Sequence, residues 1–157
     1  MARKKILFVC TGNSCRSVMA EGLLCSLLQK RGRTDVQVLS AGTNTFNGIP
    51  PTPETIEVMQ REGMDLSAHA GQELTPDLIR QADAVFCMED FHRDCVLSLA
   101  PEAEPKAHLL KTFRNPVRLE DPNIPDPVGR PLEVYEGCLM TIQEEVGRVI
   151  EWLEEER

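Results

Sequence analysis

Three segments of this 157-residue chain place an arginine six positions after a cysteine: Cys10 to Arg16, Cys25 to Arg31 and Cys87 to Arg93. Cysteine, five residues, arginine is the spacing at which a thiolate, ringed by backbone N–H groups and a guanidinium, can attack phosphorus. With six cysteines and 12 arginines in the chain, chance supplies roughly 0.5 such matches, so spacing alone selects nothing. Local chemistry does select. Cys25 to Arg31 (CSLLQKR) lies inside a helical run, where backbone N–H groups are already spent on the helix. Cys87 to Arg93 (CMEDFHR) follows a strand but sets Glu89 and Asp90 where a dianion would sit, and it contains no glycine. Only Cys10 to Arg16 (CTGNSCR) combines a glycine, Gly12, with no acidic residue, an apolar strand before it and a helical pattern after it.

In that loop the N–H groups of Thr11, Gly12, Asn13, Ser14 and Cys15 can surround an anion, and the amino terminus of the following helix adds partial positive charge. The same field favours Cys10 as a thiolate. Arg16 can grip two phosphoryl oxygens and follow the charge into the transition state. Ser17 can donate its hydroxyl to the sulfur and ease its departure. A leaving group also needs a proton, and two Asp-Pro pairs offer one, Asp121-Pro122 and Asp126-Pro127; residue pattern alone barely separates them.

These groups need a scaffold, and the hydrophobic pattern predicts one. Strands are expected at Lys5 to Val9, Val36 to Ser40, Ala84 to Cys87 and, more weakly, Ala107 to Leu110. Helices are expected from about Ser17 to Gln29, from Pro53 (capped by Thr52) to near Gly63, from Thr75-Pro76 to near Gln81, from Glu89 to Leu99, and from Leu132 to the end along one apolar stripe. Residues 115 to 131 hold five prolines and read as a long surface loop. Alternation of this kind implies an α/β fold, a four-stranded parallel sheet with helices on both faces and a Rossmann-like or flavodoxin-like topology, filling residues 1–157 as one domain. Ligands of such sheets sit at the carboxyl ends of the strands, where the CTGNSCRS turn and the proline-rich loop both fall.

Composition sets limits. The net charge of −8 argues against a non-specific binder of nucleic acid or anionic membrane. The charge is unevenly spread, however: residues 1–33 carry seven basic side chains and one acidic, while 133–157 carry eight glutamates against Arg148 and Arg157. No stretch approaches the roughly 18 apolar residues of a membrane span, and Ile6 to Val9 is too short for a secretory segment, so a cytoplasmic protein with reduced thiols is expected. The six cysteines form no C-x-x-C pair and His69, His92 and His108 are scattered, so neither a metal nor another cofactor is expected.

VCTGNSCRS followed by MAEG resembles the active-site loop and first helix of the low-molecular-weight protein-tyrosine phosphatases and of their relatives, the thioredoxin-linked arsenate reductases. SAGT at 40–43, SAH at 67–69, CMED at 87–90 and the Asp126-Pro127 pair extend the likeness over essentially the whole chain. The resemblance implies transfer of a phosphoryl group from a phosphorylated protein or peptide to Cys10, then hydrolysis to inorganic phosphate. By the family layout Asp126 is the acid, protonated for the first step and ionised for the second, when it activates water, which implies a bell-shaped rate profile on the acidic side of neutrality. Asn13, Ser40 and His69 match positions that hydrogen-bond the loop, and Phe46 matches an aromatic wall of the substrate cleft. Cys15 matches the partner of a reversible disulfide with the nucleophile. The chain departs from the family at Val128 and Gly129, where tyrosine phosphatases carry tyrosines. Some bacterial relatives with this type of loop act on phosphoarginine, with threonine favoured at the place of Ser14, so phosphotyrosine and phosphoarginine both stay open. Two alternatives are arsenate reduction, whose cysteine relay Cys87 and Cys95 imitate although Glu89 stands where the first relay thiol belongs, and a non-catalytic phosphate-binding adaptor. No nucleic acid or membrane partner is implied, and the sequence does not specify an oligomeric state.

Overall fold

The KILFV run becomes the second strand in a four-stranded parallel sheet, and everything around it follows from burying both its faces. The computed structural model describes residues 3–156. In chain order the elements are β1 (Lys4–Cys10), α1 (Arg16–Lys30), β2 (Val36–Gly42), α2 (Pro53–Arg61), α3 (Pro76–Gln81), β3 (Ala84–Cys87), α4 (Asp90–Leu99), a 3-10 turn (Pro101–Lys106), β4 (Ala107–Leu109) and α5 (Leu132–Glu155). Sheet order is β2-β1-β3-β4, as expected for a flavodoxin-like α/β fold. Side chains alternate between two cores. Ile6 and Phe8 pack with Met19 and Leu24 of α1, Val58 and Met59 of α2 and the apolar stripe of α5. Leu7 and Val9 pack on the opposite face with Ile79, Val85 and Val96. Each such fully buried side chain contributes roughly 1.5–3 kcal/mol.

The departures from sequence expectation are local. Pro101 and Pro105 give a 3-10 turn where no element was expected. β2 runs two residues further, because Gly42 still pairs with Cys10. A Cβ on Gly42 would stand 2.6 Å from the carbonyl oxygen of Thr11, so glycine is what lets β2 approach the loop after β1. On α5 the expected stripe from Tyr135 to Leu153 is buried, but Glu145 shares it at 4% exposure. Burial pushes that carboxyl up to about 7, against the smaller pull of Arg148 and Lys111.

From β1 the chain turns to β2 on one side and then crosses to β3 on the other. The carboxyl ends of β1 and β3 therefore flank the point where the strand order reverses.

Candidate active site

Residues 11–15 bridge β1 and α1 with their polar groups sorted by direction. The carbonyls of Cys10, Thr11 and Ser14 accept from the N–H groups of Thr43 (2.9 Å), Asn44 (3.0 Å) and Thr52 (3.1 Å). Among the described residues the N–H groups of Gly12, Asn13, Ser14 and Cys15 donate to no protein acceptor, and α1 begins without a side-chain cap. A concave set of open donors at a helix amino terminus is an anion site. The sharp turn is made at Asn13, whose φ is 53°, rather than at Gly12. Asparagine tolerates this left-handed conformation better than most residues, at a cost on the order of 1 kcal/mol, and its amide is then fully used.

That amide sets the polarity of a buried network. Asn13 Oδ1 accepts from the N–H of Gln72 at 2.9 Å. Its Nδ2 donates to Ser17 Oγ at 2.8 Å and to Ser40 Oγ at 2.9 Å. Ser40, having accepted, donates to Glu21 Oε1 at 2.6 Å. Ser17, having accepted through one lone pair, has its hydrogen available to Cys10 Sγ, 2.9 Å away. The network holds the Ser17 hydroxyl within hydrogen-bond reach of the sulfur, the position from which the expected donation could be made.

Cys10, Thr11, Gly12, Ser14, Cys15, Arg16, Asp126 and Val128 line a cleft of about 220 Å³. Arg16 is only 1% exposed. Its Nη1 donates to Glu89 Oε2 at 2.6 Å and to the carbonyl of Ile124 at 2.7 Å. Its Nη2 lies 3.6 Å from Asp126 Oδ2. Burial works against the guanidinium charge, but Cys10, Glu89 and Asp126 outweigh it and raise the pKa further. Arg16 Nε is buried with no protein partner among the described residues, a donor held for something else. Asp126 Oδ1 accepts from the N–H of Val128 at 3.0 Å, which aims the second oxygen at Arg16. Asp121 makes a comparable turn with Asn123 (3.0 Å) outside the cleft; the structure separates the two aspartates that the residue pattern left open.

Other predicted residues fall at varying distances from this centre. Asn13, Ser17 and Ser40 stand behind the cleft wall in the network above. His69 does not hydrogen-bond the loop: its Nδ1 lies 3.8 Å from Glu21 Oε2, and its Nε2 is buried without a partner. Its path to the loop runs through Glu21 and Ser40. Phe46 is 65% exposed and does not line the cleft, whose apolar wall is Val128. Cys15 Sγ sits 3.5 Å from Thr52 Oγ1 and 4.0 Å from the hydroxyl of Tyr135, itself 1% exposed. Of the two rejected motifs, Cys25 lies on the exposed side of α1, and partial desolvation by its neighbours together with Glu21 pushes its thiol up to about 11. Cys87 is fully buried, and burial pushes its thiol up to about 12.

Sequence reasoning missed Glu21, Gln72, Glu89 and His92 as site residues. Glu89 stood in view as a mark against the Cys87 motif, and His92 as one of three scattered histidines. The signal that could have placed them is topological, since β3 is the direct neighbour of β1 and its exit must face the same cleft.

Comparison with known proteins gives one consistent answer. Residues 5–157 match the family model of the low molecular weight phosphotyrosine protein phosphatases. A protein-arginine-phosphatase from Geobacillus stearothermophilus is 35% identical over 153 residues, covering 98% of each chain. A probable low molecular weight protein-tyrosine-phosphatase, EpsP, from Ralstonia nicotianae is 36% identical over 140 residues, covering 89% of each. Among solved structures, the YwlE arginine phosphatase, as a cysteine-to-serine mutant with a phosphorylated active-site serine, superposes with a TM-score of 0.89 at 29% identity over 98% of this chain and 97% of that one.

Proposed function

The chain belongs to the low molecular weight phosphotyrosine protein phosphatase family, and from that premise we propose that it dephosphorylates protein side chains through a phosphocysteine on Cys10. In the first step the Cys10 thiolate attacks phosphorus while the bond from phosphorus to the leaving atom breaks, and the Asp126 carboxyl gives that atom its proton. In the second, water attacks the phosphocysteine, Asp126 takes a proton from the water, and the sulfur–phosphorus bond breaks to release inorganic phosphate and the thiolate. Ser17 stabilises the departing sulfur by its hydrogen bond. The loop N–H groups and Arg16 hold the equatorial oxygens throughout, which is where the charge sits in the transition state. The observation that carries this reading is the buried, unpartnered Arg16 Nε and four open backbone donors in the loop that begins at Cys10, whose sulfur lies 2.9 Å from the Ser17 hydroxyl.

Between the two substrates, the cleft favours phosphoarginine. Its lining contains no aromatic ring against which a phenol could stack, whereas the Asp126 carboxylate and the Ser14 hydroxyl offer acceptors to a donor-only guanidinium. Arsenate reduction is disfavoured because Glu89 stands where its first relay thiol belongs, and Cys87, which imitates that thiol, is fully buried with a raised pKa. An adaptor role is disfavoured because nucleophile and acid are both present at the cleft. The deciding assay is metal-free hydrolysis of phosphotyrosine and phosphoarginine peptides with Cys10→Ser as control. Inactivity on every phosphorylated substrate defeats the phosphatase reading, and a preference for phosphotyrosine defeats the finer one.

The proposed setting is the cytoplasm, where Cys10 stays reduced; among the described residues no helix is long and apolar enough to cross a membrane. Under oxidation Cys15 is proposed to capture Cys10 as a disulfide. Peroxide inactivation is then reversible by thiols in the parent and irreversible in Cys15→Ser; equal recovery would sink the idea.

A further inference from the structure

We propose that the side-chain hydroxyl of Thr11 is a catalytic donor to a phosphoryl oxygen, and that His92 is the positioning residue that forces it to donate. The proposal rests on the phosphatase reading of the cleft and adds to it a side-chain donor and its director, contributed by a different strand–helix junction.

The case is made by accounting for hydrogens. Thr11 Oγ1 lies 2.8 Å from His92 Nε2, and either atom could be the donor until the other ring nitrogen is considered. His92 Nδ1 lies 3.0 Å from the backbone N–H of Glu89, a group that can only donate. Nδ1 therefore presents its lone pair. His92 is fully buried, and burial together with the Arg16 charge lowers its pKa to about 3, so the ring is neutral. A neutral imidazole with a bare Nδ1 carries its hydrogen on Nε2, so His92 donates to Thr11. Arg16 Nη2, also a donor only, approaches the same oxygen at 3.4 Å. A threonine hydroxyl has two lone pairs and one hydrogen. Both lone pairs of Thr11 are thus taken up by donors, and its hydrogen has no protein acceptor among the described residues. Thr11 lines the cleft beside Cys10, Gly12 and Arg16, where a phosphoryl oxygen is the acceptor that the chemistry brings.

The logic repeats that of Ser17 on the other side of the sulfur. There Asn13 occupies one lone pair of a hydroxyl whose hydrogen is available to Cys10; here His92 and Arg16 occupy both lone pairs, so that the hydrogen goes to the substrate. One director comes from the loop itself and the other from α4.

The test measures hydrolysis of a phosphopeptide and calorimetric binding of inorganic phosphate, with thermal melting as a control for folding. Thr11→Val, which keeps the shape and removes the hydroxyl, is expected to lower kcat/KM by about 10–100-fold and to weaken phosphate binding, as loss of a hydrogen bond to a charged group does. Thr11→Ser should restore most of it. His92→Asn keeps an acceptor for the Glu89 N–H but has no donor that reaches Thr11, and should lose roughly 3–10-fold in kcat/KM; His92→Gln, whose longer amide can still donate to Thr11, should recover. In a Thr11→Val background neither His92 substitution should change kcat/KM further, an outcome that a merely structural histidine would not give. The inference is overturned if Thr11→Val hydrolyses and binds phosphate within twofold of the parent, or if His92→Asn costs as much in the Thr11→Val background as in the parent. Should the His92 variants fail to fold, the Thr11 pair alone decides. A parent that neither binds phosphate nor hydrolyses any substrate refutes the phosphatase reading itself, a result distinct from a parent that does both while Thr11→Val matches it.

Discussion

Two strand-to-helix junctions lie side by side in this sheet, β1 to α1 and β3 to α4, with Val9 paired to Cys87 across them. Both carry cysteine, five residues and arginine. At the first, five residues separate strand from helix and the helix amino terminus is left open. At the second only Met88 and Glu89 intervene, and the donors are spent at once: Glu89 N–H on His92 Nδ1, Asp90 N–H on the Asn123 side chain at 2.7 Å. The arginines differ in the same way. Arg93 directs its guanidinium to the carbonyls of Ala107 (2.8 Å) and Glu104 (3.4 Å), while Arg16 keeps Nε in reserve. Capacity to bind an anion thus resides in donors left unspent, and spacing alone does not measure it. The second junction is also not idle. Glu89 braces Arg16, Met88 O accepts from the N–H of Ile124, and the carbonyl of Ile124 receives Arg16 in turn.

Substitutions matched across the junctions can break this comparison. The largest contrast is in the thiols: Cys10→Ser should lower turnover by at least about 10⁴-fold, whereas Cys87→Ser should keep kcat within about twofold; comparable losses would show that the junctions are not distinct. Next are the arginines. Arg16→Lys, which loses the planar fork, should cost about 10²–10³-fold in kcat/KM, and Arg93→Lys should change thermal stability with little effect on turnover. Third, Asp126→Asn should lower kcat by about 10²–10³-fold and flatten the acidic limb of the rate profile, with Asp121→Asn near the parent; the reverse outcome would exchange their roles. The smallest effect lies away from both junctions and calibrates the rest. Glu145 has a raised folded-state pKa, so the folded protein holds its proton longer than the unfolded chain and stability falls as pH rises toward and through about 7. Glu145→Gln should therefore raise Tm by about 2–4 °C at pH 8 and by less at pH 5, without moving kcat.

The sequence makes legible whatever is set by local pattern. The order and type of the main elements follow from apolar periodicity, and the Cys10 motif is separated from its imitations by Gly12, by its charges and by its neighbours. The uneven charge points to the same amino-terminal segment. What escapes it depends on long-range placement. His69 and Ser40 could be tied to the loop only by resemblance, and the structure inserts Glu21 between them. Phe46 carries the right side chain but stands in solvent. Glu89 looked like an objection to one motif and His92 like a scattered histidine, yet both meet the other motif, because pairing of β1 with β3 brings their junction to the same cleft.

Tyr135, whose ring lies buried beneath the loop with its hydroxyl toward Cys15, is the only tyrosine in the chain. A folded copy therefore offers no accessible phenol to a tyrosine kinase, and no folded molecule of this protein can serve as a phosphotyrosine substrate for another. Any signal that reaches it by tyrosine phosphorylation must arrive on a different protein. A phosphate found on residue 135 would mark chains modified while unfolded, which makes that modification a census of folding failure rather than a switch.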